Sequence, residues 1–188
     1  MEARTINLLG FAGSLRQKSY NRALLRNCLE VLPPDTTLEI FELEGIPPFN
    51  QDFETTPPPI VAEFKQKIKA ADAILIVTPE HNYSVPGVLK NAIDWASRPP
   101  GNNSFLGKNV AIMSVSTGML GGSRAQYHLR QSFVFLDMHP VNKPEVFVTF
   151  AAQKFDEQGK LLDEQTRELM RTLLKTLVDN TRAALGKN

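Results

Sequence analysis

Short apolar runs alternate along this chain with longer segments of helical periodicity, and that alternation leaves few folds open. The clearest run, at residues 73–78, is apolar on both faces of a strand. Such a strand is typical of a parallel sheet that helices cover on both sides. Similar but shorter or less regular runs lie at residues 5–11, 38–41, 110–115 and 146–148. Helical patterns separate or follow them, at residues 19–31, 60–70, 86–96, 123–136 and 163–185.

Five strands that alternate with five helices predict a three-layer α/β domain around a five-stranded parallel sheet. Right-handed crossovers restrict the topology, and the flavodoxin-like strand order 2-1-3-4-5 is the simplest for five strands. A length of 188 residues suits one domain with a good core, so residues 1–188 are expected to form a single domain. The proline-rich passage at 46–59 is predicted to be a compact loop anchored by Ile46, Phe49 and Phe53.

Composition and charge argue against several classes of partner. A net charge of +1 without a long basic block disfavours nucleic-acid binding. No apolar run approaches the roughly 18 residues that cross a bilayer, and the N-terminus carries no secretory pattern. These features favour a cytoplasmic protein without a membrane partner. The single cysteine, Cys28, is expected to fill the core, and the three histidines lack the spacing of metal ligands.

Three polar loops follow the first, third and fourth predicted strands, at residues 13–21, 79–84 and 116–122. The carboxyl ends of parallel strands meet at one edge of the sheet, where ligands bind in folds of this class. We therefore expect the three loops to form one site.

The first loop has the composition of a phosphate site. It joins a buried strand to a helix whose first-turn N–H groups have no carbonyl partner and attract an anion. Arg16 adds a forked charge contact, and Ser14, Ser19 and Asn21 add neutral donors. The alternative is a plain turn in which Ser19 only caps the helix. The loop matches neither the GxxxxGK[ST] pattern nor GxGxxG, so neither a nucleotide triphosphatase nor a standard dinucleotide domain is indicated.

The other two loops suit a planar ring. His81, Asn82 and Tyr83 offer flat side chains and backbone donors, and the glycines of the third loop allow a close approach of the backbone. Glu80 is expected to contribute mainly through its backbone. A phosphate at one end and a ring at the other describe flavin mononucleotide (FMN), although the residues alone leave other phosphorylated ligands open.

Three motifs, in this order and spacing, resemble the NAD(P)H-dependent FMN reductase family, and within it the chromate and quinone reductase branch. They are Gly13-Ser14-Leu15-Arg16-x-x-Ser19-x-Asn21, Pro79-Glu80-His81-Asn82-Tyr83-Ser84-x-Pro86-Gly87-x-Leu89-Lys90-Asn91-Ala92-Ile93-Asp94-Trp95 and Ser116-x-Gly118-x-x-Gly121-Gly122-x-Arg124. The resemblance extends over residues 6–148. One departure is His81, which stands where the family usually has tyrosine.

The resemblance implies a flavodoxin-like fold, FMN as the cofactor and NADPH or NADH as the co-substrate. It also implies homodimers or homotetramers, and small-molecule electron acceptors such as quinones, free flavins, azo dyes or chromate. The residues that it assigns to the FMN phosphate are Ser14, Arg16, Ser19, Tyr20 and Asn21. Those that it assigns to the ring and ribityl region are Pro79, Glu80, His81, Asn82, Tyr83, Ser84, Ser116 and Gly118. No general acid or base is expected, because the flavin carries the redox chemistry.

Two other functions remain open from the sequence. One is a flavodoxin-type electron carrier, which the near-neutral charge disfavours because such carriers are usually acidic. The other is a non-redox protein that binds a phosphorylated ligand.

Arg124 and Arg130 fit either an anion contact or a solvated helix face. Asp94 is expected to pair with Lys90.

Overall fold

The computed structural model describes residues 4–186 and confirms the predicted parallel sheet with its strand order. The strands are β1 (Ile6–Ala12), β2 (Thr36–Ile40), β3 (Ala73–Thr78), β4 (Asn109–Val115), β5 (His139–Pro140) and β6 (Val146–Val148). The helices are α1 (Tyr20–Asn27), α2 (Pro59–Ala70), α3 (Gly87–Ala96), α4 (Ser123–Leu136) and α5 (Glu164–Leu185). The order is β2-β1-β3-β4-β5, and β6 also pairs with β4. Residues 1–3, where the sequence shows no secretory pattern, and residues 187–188 lie outside the described range.

Helices cover both faces of this sheet, as predicted for a three-layer fold. Every residue of β3 and β4 is buried. One core, which contains Leu24 and Leu174, lies under α1 and α5. The other, which contains Phe64 and Leu89, lies under α2, α3 and α4. Cys28 is fully buried in the first core, and its burial raises the pKa of the thiol. Over residues 4–186, no helix has the length and apolar character needed to span a membrane.

Two short segments, rather than one strand, fill the fifth position of the sheet. β5 pairs with the start of β4, and β6 pairs with its end. Helix α4 holds the stretch between them, because Gln126 donates to the Val146 carbonyl at 2.9 Å and Arg130 donates to the Val141 carbonyl at 3.0 Å. The sequence predicted β6 but not β5, since two residues are too few to show a strand pattern.

The proline-rich passage is a compact loop fastened to α3. The Asn91 amide donates to the Pro47 carbonyl at 2.8 Å and accepts the Phe49 N–H at 2.7 Å. The Trp95 indole donates to the same carbonyl at 2.8 Å, and its ring meets Phe49 edge-on with centroids 5.0 Å apart. The predicted role of Phe53 is wrong, because its helical turn faces solvent and leaves the side chain 53% exposed.

The exposed and buried faces of α3 and α4 agree with the helical patterns. Lys90 and Asp94 form the predicted ion pair, with an N–O distance of 2.7 Å. Trp95 is only 2% exposed and therefore belongs to the core. On α4, Phe133 is buried, whereas Tyr127 is half exposed.

Asp163 caps the N-terminus of α5, which leads to a stability prediction. Its carboxylate accepts the side-chain O–H and the backbone N–H of Thr166, the latter at 2.9 Å. These hydrogen bonds hold the pKa of Asp163 below its ordinary value. We expect Asp163→Ala to lower the free energy of unfolding at pH 7 by about 0.5–2 kcal/mol.

The same cap sets the pH at which this contribution disappears. Because the folded pKa is depressed, the stabilisation is present above the unfolded pKa of Asp163 and is lost as the pH falls through the folded value. Urea titrations of wild type and Asp163→Ala should therefore differ at pH 7 and converge at strongly acidic pH. Asp179→Ala, which removes an exposed carboxylate on the same helix, is the control. A gap between wild type and Asp163→Ala that is unchanged by acid would contradict the capping role.

Candidate functional site

Three polar loops leave the carboxyl ends of β1, β3 and β4 at one edge of the sheet, as predicted. We define them as loop 1 (residues 13–19), loop 2 (79–86) and loop 3 (116–122). The Gly13 N–H donates to the Val77 carbonyl at 2.9 Å, which fixes loop 1 to β3. A Cβ at Gly13 would lie 3.2 Å from Leu89 and 3.3 Å from the Thr78 hydroxyl. Glycine therefore allows loop 1 to lie this close to the end of β3 and to α3.

Loop 1 presents a row of free backbone donors beside α1. Within residues 4–186, the N–H groups of residues 14–18 and of Tyr20 make no hydrogen bond to protein. The positive end of the α1 dipole adds to their attraction for an anion. Arg16 is exposed and has no ion-pair partner in the described part of the chain. This arrangement provides both the donors and the charge that a phosphate needs.

Ser19 and Tyr20 set the start of α1. Ser19 is 3% exposed, and its hydroxyl oxygen accepts the Asn21 N–H at 3.2 Å. Ser19 therefore caps α1 with its hydroxyl oxygen, as the alternative interpretation of this loop predicted. Its hydroxyl hydrogen stays available as a donor. The Tyr20 ring packs on Phe155, with centroids 5.3 Å apart. The backbone N–H of Tyr20 is therefore available to an anion at loop 1, whereas its phenol ring packs against the protein.

Asn21 has a structural role that sequence reasoning did not identify. Its side-chain amide donates to the Val115 carbonyl and its side-chain oxygen accepts the Val115 N–H, both at 3.0 Å. Val115 lies one residue beyond the last β3–β4 pair, Thr78 with Ser114. The Asn21 carboxamide therefore takes the place of a β3 partner beside Val115, whose other side pairs with Val148 of β6. Both ends of this buried side chain are occupied by that contact.

Loop 2 is a tight turn with two left-handed residues. His81 and Ser84 exchange backbone hydrogen bonds of 3.0 and 2.9 Å. Between them, Asn82 and Tyr83 have φ angles of 48° and 66°, the pattern of a hairpin-type turn. Pro79 is half-buried at the start of the loop, whereas the His81, Asn82 and Tyr83 side chains are exposed.

Glu80 extends from loop 2 to the N-terminus of α4. Its side chain is 9% exposed and accepts the N–H groups of Arg124 at 3.1 Å and Ala125 at 3.4 Å. It also forms an ion pair with the Arg124 guanidinium. The N-cap residue, Gly122, has no side chain to cap the helix, so Glu80 supplies the acceptor. The sequence did not predict this side-chain contact with α4, since Glu80 was expected to contribute mainly through its backbone.

Arg124 joins this pair to the exposed ring of loop 2. Its guanidinium carbon lies 3.5 Å from the centroid of the Tyr83 ring. The hydrogen bond to Glu80 raises the pKa of Arg124 above its ordinary value. Farther along α4, His128 Nδ1 lies 3.0 Å from the Ser84 hydroxyl. Loop 2 is therefore attached to α4 at two levels.

Loop 3 depends on its glycines. The Ser116 hydroxyl accepts the Gly118 N–H at 2.9 Å, which closes a small turn after β4. Gly121 and Gly122 both have positive φ angles. A Cβ at Gly121 would lie 2.9 Å from Phe147, and one at Gly122 would meet β4 at 2.8 Å. Larger residues at either position would displace the loop from the sheet.

A cleft of about 280 Å³ lies between loops 2 and 3. It is lined by Glu80, Ser116, Gly118, Met119, Leu120, Gly122 and Arg124. Met119 is 73% exposed, and Leu120 and Phe150 are each 46% exposed. Two larger grooves, of about 540 and 470 Å³, lie along α2 and are lined by none of the loop residues.

Residues 6–153 match the family described as NADPH-dependent FMN reductase. The chain belongs to this family. It is 52% identical to an NAD(P)H-dependent FMN reductase of Pseudomonas aeruginosa over 173 residues, which cover 92% of this chain and 93% of that protein. It is 46% identical to an NAD(P)H:quinone oxidoreductase of Solanum tuberosum over 179 residues, which cover 92% of this chain and 91% of that protein.

The fold of this FMN reductase family member is also found among solved structures. FerB, a flavoenzyme NAD(P)H:(acceptor) oxidoreductase from Paracoccus denitrificans, aligns with a TM-score of 0.87 and 30% identity. The alignment covers 95% of this chain and 98% of FerB. Membership of the FMN reductase family confirms the resemblance that the three sequence motifs carry.

Proposed function

We propose that this chain is an NAD(P)H-dependent reductase that uses bound FMN to pass reducing equivalents to quinones and other small acceptors. The main structural support for this proposal is the row of free N–H groups in loop 1 beside α1. It faces the same sheet edge as the cleft between loops 2 and 3. The relatives named for FMN and quinone reduction support the choice of cofactor and acceptor.

The residues at this edge fit FMN. Loop 1 supplies the donors for a phosphate dianion, with Arg16 as the charge contact and Ser14, Ser19 and Tyr20 as neutral donors. Asn21 fixes the start of α1 to β4 through its hydrogen bonds with Val115. For the ring and ribityl region we propose Pro79, Glu80, His81, Asn82, Tyr83, Ser84, Ser116 and Gly118.

The protein's part in the reaction is positional and electrostatic. When bound, FMN supplies two-electron redox chemistry. Within residues 4–186, the N–H groups of Asn82, Tyr83, Thr117 and Met119 have no protein acceptor, so they are available to negative charge at the rim of the cleft. No side chain at this rim is proposed as a general acid or base, since hydride transfer requires alignment of the reactants rather than a proton relay.

The surroundings of the cleft favour an apolar, planar acceptor. Met119 and Leu120 present exposed apolar surface there. Exposed Phe150 lies next to loop 3, since its N–H donates to the Gly118 carbonyl, and Tyr83 adds an exposed ring. Flat hydrophobic molecules such as quinones gain contact area on such a surface. Free flavins, azo compounds and chromate remain further candidate acceptors.

Anaerobic stopped-flow spectroscopy tests the proposed function. NADPH should rapidly bleach the absorbance of the FMN-loaded protein, and a quinone should restore it. Stable FMN binding without bleaching over minutes would favour the electron carrier instead. A protein that does not bind added FMN would favour a non-redox ligand.

We also infer that the protein forms homodimers or homotetramers through α4. Val134 is 84% exposed, Phe135 is 80% exposed and Tyr127 is 50% exposed on this helix. Soluble monomers rarely leave contiguous apolar surface of this kind uncovered. Phe135→Glu should therefore convert the oligomer to monomers in light scattering at micromolar concentration, with an unchanged circular dichroism spectrum.

Leu162→Glu is the control for this interface, because it adds the same charge at an exposed position in the loop before α5. It should keep the mass of wild type. A wild-type protein that is already monomeric, or a Phe135→Glu variant with the wild-type mass, would rule out this surface.

A further inference from the structure

One carboxylate connects loop 2 to the helix that follows loop 3. Glu80 leaves β3 in loop 2, while Arg124 and Ala125 open α4 after loop 3. The carboxylate accepts both of their N–H groups and pairs with the Arg124 guanidinium. That guanidinium in turn lies on the Tyr83 ring. One side chain therefore contacts the N-terminus of α4 and also the guanidinium that lies on Tyr83.

This contact also determines the charge beside the cleft. Among the residues that line the cleft, Glu80 and Arg124 are the two that carry a charge. The N-terminus of α4 adds positive potential through the helix dipole. Glu80 opposes both positive contributions, and because its side chain is only 9% exposed, water screens it weakly.

We propose that Glu80 is a positioning residue that holds α4 and Tyr83 in place and balances the charge of Arg124, and thereby tunes the reduction potential of FMN in the cleft. The proposal rests on the proposed function, since it concerns FMN at the same site. It assigns to Glu80 a role in addition to contact with the cofactor.

The direction of the effect follows from electrostatics. Glu80→Gln removes the negative charge but keeps an oxygen that accepts an N–H, so Arg124 and the helix end leave excess positive charge at the cleft. Positive charge favours the anionic, reduced form of the flavin over the neutral, oxidised form. Arg124→Met has the opposite effect, because it leaves the carboxylate unopposed. The double variant removes both charges and should return close to wild type.

The test compares wild type, Glu80→Gln, Arg124→Met and the double variant. For each FMN-loaded protein, the midpoint potential is measured by equilibration with a reference dye, and the Kd of oxidised FMN by fluorescence quenching. We expect Glu80→Gln to raise the ratio of the Kd of oxidised FMN to that of reduced FMN on the order of tenfold, the effect of one nearby unit charge. For a two-electron couple this is a positive shift of about 30 mV. Arg124→Met should shift the potential in the negative direction.

Two further measurements separate this role from simple loss of structure. Hydrogen exchange of the FMN-free proteins should be faster in Glu80→Gln only at the Arg124 and Ala125 amides, because a neutral acceptor holds them more weakly than a carboxylate. Glu63→Gln removes an exposed carboxylate on α2 and should leave the potential unchanged. If Glu80→Gln does not fold, Arg124→Met still tests the direction of the shift in reduction potential.

The outcomes distinguish this inference from the proposed function. Wild type that does not bind FMN would overturn both. Wild type that binds FMN, with single variants whose potentials match wild type or shift in the same direction, would overturn the role of Glu80 alone. A Glu80→Gln shift that Arg124→Met does not reverse in the double variant would also overturn it.

Discussion

Arg16→Ala should weaken FMN binding by about 1.5–3 kcal/mol, which is roughly a 10- to 150-fold increase in Kd. Arg16 is exposed in loop 1 and forms no ion pair within residues 4–186. Its guanidinium therefore stays available for a ligand, and a forked contact with a phosphate is among the stronger hydrogen bonds in proteins. The loss should appear as weaker binding with no change in the free energy of unfolding of the FMN-free protein.

A fluorescence-quenching titration measures this loss directly. Arg171→Ala is the control, because Arg171 is an exposed arginine on α5 and does not line the groove beside loop 1. It should bind FMN within about twofold of wild type. Riboflavin, which lacks the phosphate, gives a second comparison and should bind equally well to wild type and Arg16→Ala. Unchanged FMN affinity in Arg16→Ala would remove Arg16 from the phosphate site.

Asn21→Ala should lower the free energy of unfolding by about 2–4 kcal/mol, even without FMN. The substitution leaves the N–H and C=O groups of Val115 without a protein partner at a buried position. An unsatisfied buried group costs about 1–3 kcal/mol. A water molecule that enters the space left by Asn21 would recover part of the loss.

Urea denaturation of the FMN-free proteins tests this prediction. Asn142→Ala removes an exposed asparagine that only accepts a long hydrogen bond from Arg130, so it should change the stability by less than about 0.5 kcal/mol. If Asn21→Ala is as stable as wild type and only the FMN affinity falls, the structural role of Asn21 is contradicted, and Asn21 instead acts as an FMN ligand.

The fold was predictable because its strongest signals are local. β3 and β4 are apolar on both faces, and each is followed by a polar loop that cannot continue the strand. These two facts place the strands in the sheet centre and the loops at its edge. β5 was missed because two residues are too few to show a strand pattern, and the contacts of Gln126 and Arg130 with the residues that follow β5 are visible only in the tertiary structure.

The roles of individual polar side chains were harder to predict. Asn21 stands in a phosphate motif, yet its partner is Val115, 94 residues away. Glu80 likewise has its partner, Arg124, 44 residues along the chain. A carboxamide or carboxylate suits a ligand and a backbone group equally well, so only the tertiary structure shows which one it contacts. The glycine pair before α4, which lacks a capping side chain, was the one sequence signal for an external cap.

A crystal structure of the complex with FMN tests the central claim most directly. We expect the phosphate to lie against the N–H groups of residues 14–18 and the Arg16 side chain, with the ring between loops 2 and 3. A flavin bound in either groove along α2, or a phosphate that lies away from loop 1, would contradict it.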